Sequence, residues 1–413
     1  MSKTIILNSM YFYPEKTGTA VYSYEFAKYL SEKEYEVSVL SAFPFYPEWK
    51  KHKDYPKYKL YFKEKIRNFN VYRCYTYVPK KINSLKRILH ELVFSITSAI
   101  RFLFIKKPDL FICVSPPFFN MVVSSFICKI RRIPFHCHIQ DLQPDTAVDL
   151  KMLKNKLLTN ILYRLEYSVY KKSTLISGIG QGMLNKIKLK SINDDKLYLL
   201  PNWVNFNEIN NARNNFTNLF RKRYKLSDQF IILYSGNIGE KQKLETLLYA
   251  AKIAQDNNQN LQFILIGNGV KRNYLEELAI TLNLNNILFL DLLPKELYLD
   301  ALLSSDISVI LQNKDATDIF IPSKLLNILA TGCPVIASVN NNSEAANILK
   351  ELYFDVIVEP ENSKKLYEAI FKLKSRKDIL DNLKKEEIII AKRYFDMNII
   401  LDGINKKYKK ILP

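Results

Sequence analysis

The chain has 413 residues, of which 48% are hydrophobic and 25% are charged, so it is long enough for two domains with ordinary apolar cores. Its five cysteines are scattered and odd in number, which excludes a disulfide framework and a zinc site built on paired cysteines. We therefore expect reduced thiols in a cytoplasmic protein. We expect no signal peptide, because the N-terminal residues lead straight into an apolar strand.

The net charge of +20 is unevenly distributed along the chain. Residues 1–200 hold 33 Lys and Arg against 16 Asp and Glu, a net charge of +17, and the rest holds 28 against 25, a net charge of +3. The densest stretch, 50–81, has 11 basic and 2 acidic residues with aromatic residues between them. This basic tract suits an anionic membrane surface or a phosphate-bearing acceptor, and a solvated basic face is an equally good interpretation. Nucleic acid is disfavoured, because no recognition motif is present.

The first half of the chain alternates between apolar strands and helical segments. An apolar run at 4–9 predicts a buried strand, and a loop containing Gly18 and Thr19 leads from it into a helix. The other elements predicted in this half are strands at 35–42, 71–78, 110–115, 134–139 and 174–179, and helices near 85–105, 117–130 and 155–171.

Two apolar segments of this half raise the question of a membrane. Residues 110–128 are uncharged for 19 residues, but Pro116, Pro117 and the polar Asn120 interrupt them. A strand, a turn and a buried helix are therefore the preferred interpretation. The helix near 85–105 carries an apolar face with basic residues, and we expect that face to pack on the sheet, with membrane contact as the alternative.

The second half repeats the alternation more regularly. Strands are predicted at 230–236, 262–269, 287–292, 306–312, 334–338 and 355–360, and each interval has room for a helix. Apolar strands joined by helical crossovers predict a parallel sheet that is covered on both faces. The predicted fold class is therefore α/β, with two doubly wound, Rossmann-like domains facing a central cleft. The predicted domains are residues 1–204 and 205–385.

A strand, a glycine turn and a helix follow one another at 233–251. Gly236 and Gly239 form the turn, and Lys241 and Lys243 would lie at the helix start, where the macrodipole disfavours a cation. In a doubly wound sheet this helix begins at the carboxyl edge, where free N–H groups bind anions, so a bound diphosphate would make the lysines favourable. The turn matches neither the Walker pattern nor the dinucleotide fingerprint. Two surface lysines beside a loop remain the alternative.

A second helix start is predicted at the same edge of the sheet. Ser323 is predicted to cap a short helix that Gly332 ends, and Lys324 is again a lysine at a helix N-terminus. The loop that begins at Gly267 would bring a third stretch of backbone close. These features together predict an anion-binding site in the second domain.

An acid pair, Asp315 and Asp318, precedes this second helix. Carboxylates beside a phosphate site are suited to holding the hydroxyl groups of a sugar. Capping of the loop is an equally good interpretation of the pair.

Seven stretches spread over almost the whole chain carry a family resemblance. They read YFYPEKTGTAVYSYEFAKYL, PFYPEWK, YVPK, HIQDLQPD, LPNWVN, YSGNIGEKQKLETLLYAA and PSKLLNILATGCPVIA. The chain resembles the glycosyltransferases of family 4 with the GT-B architecture, and within them the branch that builds colanic-acid-type and other bacterial surface polysaccharides. The resemblance implies a UDP- or GDP-sugar donor, retention of anomeric configuration, no metal or other cofactor, and a C-terminal helix at 386–413 that crosses back to the first domain.

The resemblance also implies roles for residues that bind the donor phosphates. Lys241 matches the family's basic phosphate contact, whereas the usual arginine after the strand is replaced by Asn237, and Lys324 would take over its role. The other residues expected to approach the diphosphate are Gly18, Thr19, Gly236, Gly239, Gly267 and Ser323.

Further positions match the family's contacts to the donor ribose, sugar and base. The family carries two glutamates eight residues apart, and the second matches Asn327, which would hold the ribose. The first falls near Ile319, so Asp318 is the expected substitute that contacts the donor sugar. The base would lie against backbone near Leu292 and Leu293.

The first domain contributes a second candidate site at the end of the strand FHCHI. Alternation places His136 and His138 on one face of that strand. Metal binding is disfavoured, because no third ligand lies at a suitable spacing. His138 and Asp141 match the place where the family keeps a His-Asp pair that contacts the sugar, although Gln140 intervenes. A hydrogen-bonded core residue is the alternative for each histidine and is preferred for His136.

The predicted function is a retaining glycosyltransferase that builds a bacterial surface polysaccharide such as a capsule, O-antigen or exopolysaccharide. We expect a lipid-linked saccharide acceptor and a peripheral location at the cytoplasmic face of the membrane, with the basic first domain on anionic lipid. Two alternatives stay open. One is a nucleotide-sugar 2-epimerase of the same fold, which does not need a basic acceptor face. The other is a non-catalytic basic scaffold that binds membrane.

Overall fold

The computed structural model describes the chain except for residues 1, 17, 34, 57, 82, 150–154, 227, 316–319 and 413. The chain forms two compact units. The first comprises Met1–Pro201 together with Leu401–Pro413, and the second comprises Asn202–Ile400. The first unit thus ends at Pro201, where the sequence suggested 204, and the residues that return to it begin at Leu401, where the sequence suggested 386.

The first unit is built on an eight-stranded sheet in the order β3-β4-β2-β1-β5-β6-β7-β8. Its strands are β1 (Thr4–Asn8), β2 (Glu36–Ala42), β3 (Tyr61–Ile66), β4 (Phe69–Cys74), β5 (Leu110–Ser115), β6 (Phe135–Ile139), β7 (Leu175–Gly178) and β8 (Leu197–Leu199). All neighbouring strands pair in parallel except β3 and β4, which form an antiparallel hairpin at one edge.

Seven helices belong to this part of the chain. They are α1 (Thr19–Glu32), α2 (Ser84–Leu103), α3 (Phe118–Arg131), α4 (Gln143–Asp149), α5 (Lys156–Lys172), α6 (Gln181–Lys188) and, at the C-terminus, α16 (Met397–Ile411), which joins the unit from Leu401 onward. The uncharged stretch 110–128 contains β5 and most of α3, as predicted. No helix in the described residues is long and apolar enough to cross a membrane.

In the edge hairpin of the first unit, β4 was predicted at 71–78, whereas β3 was missed at the sequence level. Strand β3 lies inside the basic tract, where charged and aromatic residues alternate and resemble a solvated loop. Its Glu64 accepts a 2.6 Å hydrogen bond from Nε of Arg73, which is fully buried and also donates to the carbonyl of Tyr13. Part of the positive charge of the basic tract is therefore used inside the fold.

The second unit is built on a six-stranded, fully parallel sheet in the order β11-β10-β9-β12-β13-β14. Its strands are β9 (Phe230–Ser235), β10 (Leu261–Ile266), β11 (Ile287–Leu290), β12 (Ile307–Leu311), β13 (Val335–Ser338) and β14 (Ile357–Val358). The strand order reverses between β9 and β12. In open α/β sheets, ligands bind at the carboxyl ends of the strands at such a reversal.

Helices cover both faces of this sheet. They are α7 (Phe206–Asn214), α8 (Leu219–Tyr224), α9 (Glu245–Asp256), α10 (Arg272–Thr281), α11 (Lys295–Ser304), α12 (Ser323–Thr331), α13 (Glu344–Leu349), α14 (Ser363–Lys374) and α15 (Lys377–Phe395). Their inward faces are apolar, as in α9, where the buried residues include Leu247, Leu248 and Ala251. The sheet and these helices enclose one continuous apolar core.

Candidate active site

Two loops lie in backbone contact beyond the ends of β9 and β10. The amide of Gly236 donates to the carbonyl of Ile266 at 2.9 Å, and the amide of Ile238 donates to the carbonyl of Asn268 at 2.9 Å. The parallel pairing of the two strands therefore continues past their ends and forms a flat floor of backbone at the strand reversal.

Glycine is required where these loops touch. Gly267 has φ of 151°, and a Cβ there would lie 1.9 Å from the carbonyl oxygen of Gly236. Gly269 has φ of 157°, and its Cβ would lie 2.2 Å from the carbonyl oxygen of Ile238. Only glycine fits both the backbone conformation and the space. The predicted close approach at Gly267 is thus present in the structure.

The turn after β9 differs from the sequence prediction. Glu240–Gln242 form a 3-10 turn, Lys243 is left-handed with φ of 45°, and α9 begins only at Glu245. The prediction that the lysines lie in the first helical turn is therefore wrong. The left-handed Lys243 separates the 3-10 turn from the helix, so both lysines precede α9.

Lys241 nevertheless lies at the predicted edge of the sheet. Its side chain is exposed, and its carbonyl accepts a 2.8 Å hydrogen bond from the amide of Asn313, which follows β12. The amide of Gly239 donates to Oε1 of Gln242 at 3.2 Å. Asn237 is exposed, and its carbonyl accepts from the hydroxyl of Tyr234 at 2.6 Å. These contacts fix the turn against β9 and β12.

Lys324 is the second lysine of the predicted phosphate site. It is half-buried, and its Nζ lies 4.1 Å from the ring centroid of Tyr234 and beside Gly236. Burial lowers the pKa of Lys324 to about 7. In the described part of the chain no carboxylate forms an ion pair with it. An anion at the end of β9 would supply the missing counter-charge.

The start of α12 differs from the prediction in one detail. Pro322 occupies the N-cap, and Ser323 is the first helical residue, without a side-chain cap hydrogen bond. The prediction that Ser323 caps this helix is therefore wrong, because Pro322 already has the extended backbone that precedes the helix. The helix ends at the left-handed Gly332, as predicted, and its first N–H groups point from the same edge as Lys324.

Two buried amide side chains at this edge were missed at the sequence level. Oε1 of Gln312 and Oδ1 of Asn313 are buried, and within the described ranges neither oxygen has a hydrogen-bond partner. Both residues follow β12 directly, at the strand reversal. Buried amide oxygens are normally paired, so these two are suited to accept hydrogen bonds from the hydroxyl groups of a ligand.

Asn327 lies on α12, one helical turn after Lys324. It is half-buried, and its side chain hydrogen bonds with Tyr298, whose hydroxyl also accepts from Ser235 Oγ at 3.4 Å. Ser235 is the last residue of β9. The predicted ribose contact is therefore tied to the end of the central strand of the sheet.

The predicted base-binding residues follow β11. Leu292 is 64% exposed, and Leu293 is half-buried against the core. Arg272, which was missed at the sequence level, joins this part to the glycine loop, since its Nη1 donates to the carbonyl of Gly267 at 2.7 Å and to Asp291 at 2.7 Å. The sequence signal that could have identified Arg272 is a cation at the start of a helix, where it is unfavourable with respect to the helix dipole unless it has another role.

The predicted acidic contact to the sugar, Asp318, lies outside the described residues, as does Ile319. Asp315 is described and exposed. Among the described residues there is no group of three or more His, Cys, Asp or Glu side chains that could hold a metal ion.

In the first unit, Gly18 and Thr19 lie where the sequence suggested a loop after β1. Gly18 is exposed with φ of 55° and precedes α1, which begins at Thr19. Asp141 follows β6 and accepts a 2.8 Å hydrogen bond from the hydroxyl of Thr146. Asp141 thus lies just after β6 and Gly18 lies at the N-terminus of α1, and their contacts to the donor stay predictions.

His138 is enclosed by hydrogen bonds. Its Nδ1 lies 2.8 Å from Ser177 Oγ and its Nε2 lies 2.9 Å from the side-chain nitrogen of Gln140. Burial lowers its pKa to about 4, so the ring is neutral at pH 7. His136 bonds with the same Ser177 Oγ at 2.8 Å and with Tyr408 of α16 at 2.6 Å. This is the hydrogen-bonded core role preferred for His136.

Comparisons with known proteins agree with the fold and identify the family. Residues 215–388 match the family model described as glycosyl transferases group 1. The chain is 30% identical over 373 residues to the colanic acid biosynthesis glycosyl transferase WcaI of Escherichia coli K12, covering 89% of this chain and 91% of that protein.

Two solved structures share the fold at low identity. Sucrose-phosphate synthase from Thermosynechococcus elongatus superposes with a TM-score of 0.74 at 15% identity, covering 99% of each chain. The Anabaena protein HepE, solved in complex with UDP-glucose, superposes with a TM-score of 0.69 at 13% identity, covering 99% of this chain and 100% of that chain. The predicted GT-B fold is confirmed.

Proposed function

This chain belongs to the group 1 glycosyl transferases, and on that premise we propose that it transfers a sugar from a nucleotide-sugar to a lipid-linked intermediate of a surface polysaccharide, with retention of anomeric configuration. The similarity to a protein named for colanic acid biosynthesis supports the polysaccharide product. The similarity to a structure that binds UDP-glucose supports a uridine-linked donor.

The observation that carries the proposal is the environment of Lys324. A lysine whose pKa is lowered to about 7 and that has no carboxylate partner among the described residues is suited to a mobile anion. It lies beside Gly236 at the strand reversal, and the first turn of α12 adds N–H donors there. The diphosphate of a nucleotide-sugar would occupy this place, with Lys241 at its exposed side.

In the proposed reaction, the bond between the anomeric carbon and the β-phosphate oxygen breaks while the acceptor hydroxyl oxygen bonds to the same carbon. The departing diphosphate gains negative charge, which Lys324 and the N-terminus of α12 would stabilise. The acceptor proton would pass to a phosphate oxygen, so the protein need not present a nucleophile and the atoms balance. His138, Asp141 and Asp318 remain the proposed contacts to the sugar, His138 in its neutral form.

The proposed mechanism needs no metal, because the lysines and helix N–H groups would balance the charge of the leaving group. The basic first unit would serve the acceptor, and the proposed location is the cytoplasmic face of the cell membrane. Gln312 and Asn313 add amide oxygens that would hold hydroxyl groups of the donor.

The first experiment is a thermal-shift panel with UDP, GDP, ADP and CMP. The variants are Lys324→Ala and, as a matched control, Lys252→Ala, which removes an exposed lysine on α9 that pairs with Asp256. We expect one nucleotide to raise the melting temperature of the wild type and of Lys252→Ala, and that shift to disappear in Lys324→Ala. A shift that survives in Lys324→Ala would contradict the phosphate role.

Transfer itself is tested with the matching nucleotide-sugar and a membrane extract that supplies lipid-linked acceptors. The expected product is glycosylated lipid with the same anomeric configuration as the donor. An epimerised donor without glycosylated lipid would instead support the 2-epimerase. Absence of nucleotide binding would support a non-catalytic scaffold.

A further inference from the structure

Helix α2 exposes a stripe of apolar side chains. Leu85, Ile96 and Leu103 lie along one stripe and are 78%, 54% and 55% exposed, and Phe104 at the helix end is 78% exposed. Ile88, Leu89 and Ile100 lie on the same stripe and are also exposed. The spacing of these residues at three and four positions defines one continuous helix face.

The opposite face of α2 is buried and is rich in polar residues. His90, Glu91, Ser95 and Ser98 are each less than 9% exposed. Phe94 and Phe102 are fully buried on this inner face, so α2 has apolar side chains on both of its sides. An ordinary surface helix turns its apolar face to the core, so the expectation that the apolar face of this helix packs on the sheet is wrong for the exposed stripe.

Helix α3 repeats the inversion beside α2. Phe126 is 58% exposed and Ile130 is 66% exposed, whereas Asn120, Ser124 and Ser125 are buried. Phe118, Met121 and Cys128 are buried as well, so the prediction of a buried helix is correct for this mixed inner face and wrong for the outer one.

Hydrogen bonds hold the polar inner faces in place. Asn8 of β1 donates to Oδ1 of Asn120 at 3.0 Å, and Ser98 of α2 donates to the same oxygen at 3.3 Å. Arg131 of α3 donates to the carbonyls of Phe102 and Ile105 at the end of α2. The outward orientation of the apolar residues is therefore fixed by buried polar contacts on the inside.

The charge around this surface has one sign. Residues 84–107 and 118–132 contain eight basic residues and one acidic residue, Glu91, which is buried. Lys106, Lys107, Lys129 and Arg132 are exposed, and they lie at the end where α2 and α3 both finish. An exposed apolar face with a basic margin is complementary to the surface of an anionic bilayer.

We infer that the outward faces of α2 and α3, here called the α2–α3 face, rest on anionic lipid. The apolar side chains would enter the interface between headgroups and acyl chains, and the basic residues would contact lipid phosphates. The inference rests on the proposed function, because the proposed lipid-linked acceptor gives the protein a reason to bind the membrane. It identifies the surface that makes the contact.

Charge argues against a second copy of the chain as the occupant. Two α2–α3 faces brought together would oppose basic residues to basic residues, with no exposed acidic residue in either helix to balance them. Anionic phospholipid removes that repulsion and also covers the apolar stripe.

The basic tract at 50–81 is a weaker candidate for the same contact. Arg73 is buried against Glu64, the ammonium of Lys51 lies 3.9 Å from the ring centroid of Phe43, and Arg67 donates to the hydroxyl of Tyr24. These side chains are used within the fold, and the tract has few exposed apolar side chains beyond Tyr58, Leu60 and Tyr75.

The test is flotation of the purified full chain with phosphatidylcholine vesicles, with and without phosphatidylglycerol. The disrupting variants are Ile96→Glu and Phe126→Glu. The matched apolar control is Ile280→Glu, which changes a residue that is 76% exposed on α10 of the second unit. The charge variants are Lys106→Ala/Lys107→Ala on the α2–α3 face and Lys53→Ala/Lys59→Ala in the basic tract.

The wild type and Ile280→Glu should float with anionic vesicles. Ile96→Glu and Phe126→Glu should each weaken binding by about tenfold or more, because each removes apolar burial and adds a repelled charge. Lys106→Ala/Lys107→Ala should weaken binding more than Lys53→Ala/Lys59→Ala does. A wild type that stays in the soluble fraction, or tract variants with the larger effect, would overturn the inference.

Two further measurements distinguish lipid binding from misfolding and from self-association. The nucleotide thermal shift of each variant reports folding and the donor site, so a failure of membrane binding is distinguishable from a failure of the proposed function. Sedimentation velocity without vesicles reports self-association. If the wild type is a dimer and Ile96→Glu dissociates it, a second copy of the chain covers the α2–α3 face, and the inference of membrane binding is overturned.

Discussion

Both units are doubly wound α/β sheets, but they differ in the polar and charged side chains that they bury. The second unit encloses an apolar core, and Glu387 is its fully buried carboxylate among the described residues. The first unit buries Arg73, Glu166 and a network of serine, asparagine and histidine side chains. The comparison teaches that a helix can bury polar side chains while it exposes apolar ones, as α2 and α3 do.

Histidine usage sharpens the same contrast. All four histidines belong to the first unit, and His90, His136 and His138 are buried there. The site of the second unit depends on lysine, glycine backbone and helix N-termini. The stability of the first unit should therefore fall in acid, whereas the affinity of the second unit for its ligand should change near neutral pH.

The largest effect should come from Gly267→Ala, which breaks the floor of the second-unit site. The new Cβ would overlap the carbonyl oxygen of Gly236, and φ of 151° disfavours any L side chain. We expect a loss of about 4 kcal/mol in the free energy of unfolding of the second unit, where strain adds to backbone overlap. Urea unfolding and nucleotide thermal shift measure the effect.

Gly18→Ala is the matched control in the first unit. A Cβ at Gly18 meets no atom within 4 Å, so its φ of 55° is the main cost and the loss should be about 1 kcal/mol. Equal losses in the two variants would contradict the role assigned to the close contact of the loops.

The next effect concerns acid. Burial lowers the pKa values of His90 and His138 to about 4, below the usual value near 6.5, so the folded state prefers the neutral rings. Their stabilisation is complete above pH 6.5 and is lost as the pH falls to 4, on the order of 3 kcal/mol for each ring. His138→Gln should therefore flatten the fall in stability of the first unit over this range.

The measurement is urea unfolding of wild type and variant at several pH values between 7 and 4, because the difference between the two chains cancels the titration of shared carboxylates. An unchanged slope in His138→Gln would mean that the ring has the same pKa in the folded and unfolded states, which contradicts the prediction.

A smaller effect is expected from Ser177→Ala. The Ser177 hydroxyl lies 2.8 Å from both His136 and His138, so the change leaves two buried ring nitrogens without a partner. We expect about 2 kcal/mol of destabilisation. Ser375→Ala, which removes an exposed hydroxyl on the second unit, should cost less than about 0.5 kcal/mol. Similar losses of stability in the two variants would contradict the role of the Ser177 hydroxyl as the partner of both histidine rings.

The smallest effect is a pH dependence of nucleotide affinity. Lys324 has a pKa of about 7 in the free chain, and a bound diphosphate would raise it. Below pH 7 Lys324 is already protonated, so the affinity for the nucleotide is at its maximum. Above pH 7 binding requires uptake of a proton, so the affinity should fall by about tenfold per pH unit until the pKa of the bound state is reached. Titration calorimetry between pH 6.5 and 9 tests this, and Lys324→Met should give a flat profile.

The second unit was the more predictable of the two from sequence. Its strands are short apolar runs between amphipathic helices, so periodicity located all six, and the glycine and lysine residues were the basis for predicting the site. The details that failed were local. The left-handed Lys243 and the N-cap at Pro322 depend on tertiary contacts with β12 and with the preceding loop, which no local pattern encodes.

The first unit was less predictable, because its helices invert the usual rule. The apolar stripe of α2 was assigned to the core, although that stripe is exposed and Phe94 and Phe102 enter the core together with polar residues such as His90. Strand β3 was missed, because its alternating charges resemble a solvated segment. The buried amides Gln312 and Asn313 could not be located either, since their burial depends on neighbouring loops.

The contact between the Gly236 and Gly267 loops has a consequence for motion. Hydrogen bonds link Gly236 and Ile238 to the adjacent loop in the same pattern as the strands below them, so the two loops should move as one rigid plate. Their amides should exchange with solvent as slowly as those of β9. A ligand that binds to these loops would meet a site that is already ordered, so ordering of the loops would cost little binding free energy.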